Sequence, residues 1–228
     1  MSKKPASGRR SKNRKRKAKK PRSSGRKWIV VLVAAAVVAA AAVSVALQQS
    51  GSRTAQIDTT EVPDYIDVQL LTVNSYSRPG IALDEVNGIV IHYTANPGTT
   101  AQENRDYFEG LATSGEAKVS SHFVIGIDGE VIQCIPTSEI AYASNSRNSD
   151  TLSIECCHKS EDGSFTKKTY NSLVELTAWL CLRYGLTSSD VIRHYDVTGK
   201  NCPKYFVEHE DAWETFLEDV DALISENS

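Results

Sequence analysis

V-N-G-I-V-I-H-Y, Val86 to Tyr93, is an apolar run that ends on a histidine and a tyrosine. It reads as a buried strand, and His92 falls where that strand runs out into a cleft. Asn96-Pro97-Gly98 then signals a turn. Thr100, with Glu103 three residues on, forms a capping box that opens a helix with Tyr107, Phe108, Leu111 and Ala112 on one apolar face. The order is strand, loop, helix.

Further along, His122 to Ile127 and Glu130 to Ile135 are β-rich runs separated by Asp128-Gly129, a pair suited to the positive φ angles of a tight hairpin. Thr151 to Cys157 is another short apolar run, preceded by the polar loop Ser144 to Asp150. A sheet of at least four strands follows. From Lys167 to Arg183, apolar residues including Tyr170, Leu173, Val174, Leu180 and Cys181 recur at helical spacing until Gly185 closes the helix. A last helix, Asp211 to Ile224, carries Trp213, Phe216, Leu217, Val220, Leu223 and Ile224 on one face. Strands mixed with covering helices make an α/β or α+β domain.

The two ends of the chain differ sharply in charge. Residues 1–27 hold 14 of the 26 Lys and Arg and no acid, and the remainder sets 12 against 28 Asp and Glu, a formal balance of −16. Next comes Trp28 to Leu47, uncharged and long enough to span a hydrocarbon core of roughly 30 Å as a helix. The flanking cations predict a cytoplasmic basic segment (1–27), a single transmembrane helix (28–47) and everything beyond it outside. A cleaved secretory signal is the alternative, but so long an apolar stretch after so long a basic head is atypical of one. Nucleic-acid binding by the basic run lacks aromatic residues to stack on bases, and attraction to anionic lipid is the simpler account. Residues 48–63 read as a polar stalk. Residues 64–228 are enough for one domain with a substantial core.

The chemistry gathers around I-R-H-Y-D-V-T-G-K-N-C-P-K, Ile192 to Lys204, where His194 and Cys202 face each other across a seven-residue loop. With His92 they make three nitrogen and sulfur donors. Such a set with one vacant position describes a catalytic Zn2+, since closed structural sites use four protein ligands. The plainer account is three unrelated residues, a core histidine among them. Glu155, in the apolar strand L-S-I-E-C-C, is placed to take a proton from the metal's water, because a carboxylate there needs a partner. Lys200, on the same loop as Cys202, is a candidate stabiliser of an oxyanion, or else a solvated surface charge. His122 is a candidate for supporting a metal ligand from behind or for touching the substrate. His158 and His209 lie among polar residues and are expected at the surface. Of the other cysteines, Cys156 and Cys157 should point to opposite faces of their strand, and Cys181 falls on an apolar helix face. With Cys134 they permit no assigned disulfide.

Several stretches together resemble one family. Y-S-R-P-G (76–80), G-I-V-I-H-Y-T-A-N-P (88–97), S-S-H-F-V-I (120–125), I-E-C-C (154–157) and G-K-N-C-P (199–203) are similar, in order, to type 2 N-acetylmuramoyl-L-alanine amidases, zinc enzymes related to phage endolysins and peptidoglycan recognition proteins. The resemblance implies an α/β fold with a mixed central sheet flanked by helices. It implies zinc on His92, His194 and Cys202, Glu155 as general base and acid, and Lys200 on the oxyanion. The bond cut would join N-acetylmuramic acid to L-alanine in peptidoglycan. Some branches carry a tyrosine before the histidine equivalent to His122, where this chain has Ser121, which puts more weight on Glu155. The expectation is a monomeric, membrane-tethered wall amidase with an extracytoplasmic catalytic domain, with no nucleic-acid partner. A non-catalytic peptidoglycan-binding receptor is the alternative, and retention of Cys202 argues against it.

Overall fold

The computed structural model of the chain describes residues 62–228. The basic segment, the apolar segment 28–47 and nearly all of the stalk lie outside the described residues. Among the described residues no helix is long and apolar enough to cross a membrane.

Six strands, β1 (Ile66–Val68), β2 (Ile89–Tyr93), β3 (Phe123–Ile125), β4 (Val131–Gln133), β5 (Leu152–Cys156) and β6 (Val191–Arg193), form one sheet in the order β1-β4-β3-β5-β2-β6. Only β3 and β4 run antiparallel, joined by the turn at Asp128-Gly129, where Gly129 takes φ 87°. The parallel neighbours need longer crossovers, and the helices supply them. These are α1 (Ala101–Ser114), α2 (Lys167–Tyr184), α3 (His194–Thr198), α4 (Lys204–Glu208) and α5 (Glu210–Glu226). The fold is therefore α/β, a mixed central sheet flanked by helices.

The central strands read as unbroken apolar runs because both faces are covered. On one face Ile89, Ile91, Phe123, Ile125, Leu152 and Ile154 pack against Leu173 and Leu176 of α2 and Trp213, Phe216 and Val220 of α5. On the other, Val124 and Ile132 meet Ala101, Phe108 and Leu111 of α1. Cys156 lies in the first core and Cys157 in the second, as strand alternation requires. Because α1 packs over β3 and β4, the C-terminal ends of β2 and β5 are left to present polar side chains on this face.

The capping box of α1 forms as expected: Thr100 Oγ1 accepts from the Glu103 N–H at 3.1 Å and Glu103 accepts from the Thr100 N–H at 2.8 Å. Gly185 closes α2 in the left-handed region, φ 65°.

Several expectations need correction. The loop between His194 and Cys202 contains a short helix, α3, which Gly199 ends at φ 74°. Tyr107 is 46 % exposed and Ala112 is exposed too, so the apolar face of α1 is Ala101, Phe108 and Leu111. His122 precedes β3 instead of starting it. His158 is buried, not superficial, with its Nδ1 2.8 Å from the Ser160 carbonyl and its ring 5.1 Å from that of Tyr93. Strands β1 and β6 are too short to carry a periodic signal.

Candidate active site

Strands β2 and β5 run parallel in a register that sets His92 directly opposite Glu155. Both residues fall on the face away from α2 and α5, because their neighbours Ile91, Ile154 and Cys156 fill the core on that side. Strand β6 stops at Arg193, opposite Ile91, and the chain leaves the sheet with His194 as the first residue of α3. The two imidazole centroids are 4.6 Å apart.

Past Gly199 the backbone doubles back, and the Tyr195 N–H donates to the Cys202 carbonyl at 2.9 Å. This return brings Cys202 Sγ to 3.9 Å from His92 Nδ1, across 110 residues of chain. One donor atom from each of His92, His194 and Cys202 lies within 4.8 Å of the others, and all three residues are buried. The Tyr93 N–H, beyond the end of β6 and so free of that ladder, hydrogen-bonds the Cys202 sulfur.

The outward nitrogens of both histidines are held by one turn. His92 Nε2 lies 3.2 Å from Ser144 Oγ and His194 Nε2 lies 2.8 Å from Asn145 Oδ1. An amide oxygen only accepts, so His194 carries its proton on Nε2 and turns a bare Nδ1 inward. That Nδ1 is buried and has no hydrogen-bond partner. A desolvated lone pair facing a second imidazole nitrogen and a thiol fits a borderline-soft cation such as zinc.

The electrostatics agree. Burial, then the neighbouring His194 and Lys200, holds His92 well below the ordinary histidine range. His194 is lowered by burial and Lys200. Both imidazoles are therefore neutral, the form that binds metal. Burial, and then Glu155, pushes the Cys202 thiol up to about 12, against the opposing pull of the Tyr93 N–H and the Lys200 ammonium. Glu155 is pushed up to about 8 by burial, with Lys200 opposing, and its Oε2 is buried without a partner. It sits on a central strand, between β3 and β2, and is no solvent-facing edge residue.

Lys200 is exposed on the turn after α3, yet its charge reaches Glu155, His92, His194 and Cys202. His122 stands apart from the three donors, beside Ser153, which lies two residues before Glu155 on β5. Its Nδ1 accepts from the Ser153 N–H at 3.0 Å and its Nε2 donates to the Glu139 carbonyl at 2.8 Å, so both ring nitrogens are spent inside the protein.

Three contributors went unseen in the sequence. Ser144 and Asn145 lay in a stretch legible only as a polar loop. Arg193 is the third: its guanidinium reaches Asp196, Glu210 and the Phe206 carbonyl and lies 5.3 Å from the Trp213 ring, tying α3, α4 and α5 together beneath the site. An arginine inside an apolar strand was a usable signal, because a buried guanidinium requires partners.

Two imidazoles, a thiol and a buried carboxyl at the C-terminal strand ends of a mixed sheet define an α/β domain built around three donors that could hold a metal ion. The chain belongs to the N-acetylmuramoyl-L-alanine amidase family, whose profile matches residues 82–205. It is 38 % identical over 164 residues to the N-acetylmuramoyl-L-alanine amidase CwlL of Bacillus licheniformis, covering 67 % of this chain and 45 % of that protein. It is 32 % identical over 179 residues to BlyA of Bacillus subtilis (strain 168), covering 69 % and 47 %. The chain thus spans about half the length of the curated relatives it matches. Among solved structures, the catalytic domain of XlyA is similar at 26 % identity and a TM-score of 0.58, covering 68 % of this chain and 98 % of that one. PlyL is similar at 25 % identity and a TM-score of 0.59, covering 68 % and 96 %.

Proposed function

We propose that this chain is a zinc-dependent N-acetylmuramoyl-L-alanine amidase that hydrolyses the amide between the lactyl group of N-acetylmuramic acid and L-alanine in peptidoglycan. The observation that carries this reading is the convergence of His92, His194 and Cys202 donor atoms within 4.8 Å, together with relatives named for that reaction. Zinc held by those residues would supply Lewis-acid polarisation of the scissile carbonyl and would make water a better nucleophile at neutral pH.

The remaining work falls to the protein's own side chains. Glu155, with a pKa raised to about 8 by burial, holds a proton below that pH and releases it above, within reach of the neutral range. As a carboxylate it takes the proton of the attacking water; as a carboxylic acid it returns that proton to the departing alanine nitrogen. The Lys200 ammonium offsets negative charge developing on the carbonyl oxygen. The apolar segment 28–47 tethers the domain to the membrane with the catalytic part outside the cytoplasm, acting as a monomer on the wall.

The test is mass spectrometry of purified muropeptides after incubation with the chain and zinc. A new lactyl carboxylate on the glycan and a free alanine amine on the stem peptide are expected. Cleavage between sugars or within the stem peptide would refute the assignment, and tight wall binding without any cleavage would favour the receptor alternative.

A further inference from the structure

We infer that the Ser144-Asn145 turn is a second layer of the metal site, and that Asn145 is a positioning residue that sets zinc affinity by fixing the tautomer of His194. This deepens the zinc reading above and rests on it.

The backbone of the turn is strained at Asn145. Asn145 takes φ 53°, one of two non-glycine residues with positive φ among the described residues. Asparagine tolerates that region better than most side chains but not without cost. A turn alone would be served as well by glycine. What the asparagine adds is Oδ1, placed 2.8 Å from His194 Nε2.

The turn itself is anchored. Asn148 Oδ1 accepts from the Ala143 N–H at 3.1 Å and the Ser144 N–H at 2.6 Å, and the Asn148 N–H returns to the Asn145 carbonyl at 3.2 Å. One short, closed loop therefore presents two acceptors side by side, Ser144 Oγ to His92 and Asn145 Oδ1 to His194. Each holds the outward nitrogen, leaving His92 Nδ1 facing the Cys202 sulfur and His194 Nδ1 without a partner. His194 Nδ1 shows the result: it is buried and unpartnered, a state that costs free energy unless a ligand occupies it. Without Asn145, the imidazole is free to put its proton on Nδ1 or to rotate, and either outcome removes a donor.

Loss of such an outer partner typically lowers metal affinity 10- to 100-fold. Two substitutions separate this role from turn formation. Asn145→Gly relaxes the backbone but deletes the acceptor, whereas Asn145→Asp retains an acceptor. Zinc affinity of the full chain, measured by competition with a chromophoric chelator, should fall about 10- to 100-fold in Asn145→Gly and stay within about threefold of the original in Asn145→Asp. The melting temperature of the metal-free Asn145→Gly protein should be unchanged or higher. In the metal-free original, the 15N shifts of His194 should report a single Nε2–H tautomer, and in Asn145→Gly a mixture. Undiminished zinc affinity in Asn145→Gly would overturn the inference while leaving the zinc site intact. Failure of the original chain to bind zinc, or equal binding by Cys202→Ala, would instead overturn the zinc reading and the inference with it.

Discussion

The proposed mechanism concentrates proton exchange in one carboxyl group, that of Glu155. Its buried Oε2 has no partner and burial raises its pKa to about 8, so its protonation state is tied to whatever enters the pocket. Glu155→Gln keeps the shape and removes the proton exchange. Zinc content by atomic absorption should be unchanged while turnover falls about 100-fold or more; near-normal turnover would remove Glu155 from the mechanism. His122 makes a different prediction. Burial holds it down to about 4, whereas unfolded it protonates near 6.5. Between those values the unfolded chain binds the extra proton, so stability present above about pH 6.5 is lost as pH falls towards 4. The loss is about 3 kcal/mol at most. Urea midpoints of metal-free protein at pH 7 and pH 4.5 should drop further in the original chain than in His122→Asn, and parallel drops would contradict this. At this scale the sequence was informative about residue type. Histidines and a cysteine near turns, and a glutamate in an apolar strand, announced the site. His158 shows the limit, since burial of a histidine among polar neighbours depends on a long-range contact with Tyr93.

Elements were readable where local physics sets their ends. The capping box at Thr100 and the glycine at position 185 marked helix termini that the structure reproduces. Thr100→Ala removes an acceptor for the first turn of α1 and should lower stability by about 1 kcal/mol, measured by denaturant unfolding, with zinc affinity untouched. A loss of zinc binding in that variant would mean that α1 and the site are coupled in a way these contacts do not suggest. What could not be read were the elements that only neighbours create. Strand β6 is three residues long and exists because β2 offers it a ladder. Helix α3 is five residues long and is held by Arg193, Asp196 and the return of Cys202. Neither has enough length for a hydrophobic period, and a stretch with two donors and a glycine looks like loop.

For the whole molecule, strands and covering helices follow from apolar runs and helical spacing, and the mixed sheet from the family resemblance, but strand order does not follow, because register across a parallel sheet is set by packing. That order matters for durability. Strand β6 is an outermost strand, paired with β2 alone, and both His194 and Cys202 lie just past its end. An ion shared between them and His92 would bridge the seam between β2 and β6 and link residues 110 apart in sequence. Chelation should therefore lower the melting temperature by several degrees and should expose the last third of the chain to limited proteolysis first. A melting curve indifferent to chelator would contradict this. Metal supply would then govern how long the molecule survives as well as whether it works: a starved population would be trimmed from its C-terminal end and cleared, and later addition of the ion would rescue only the copies still whole.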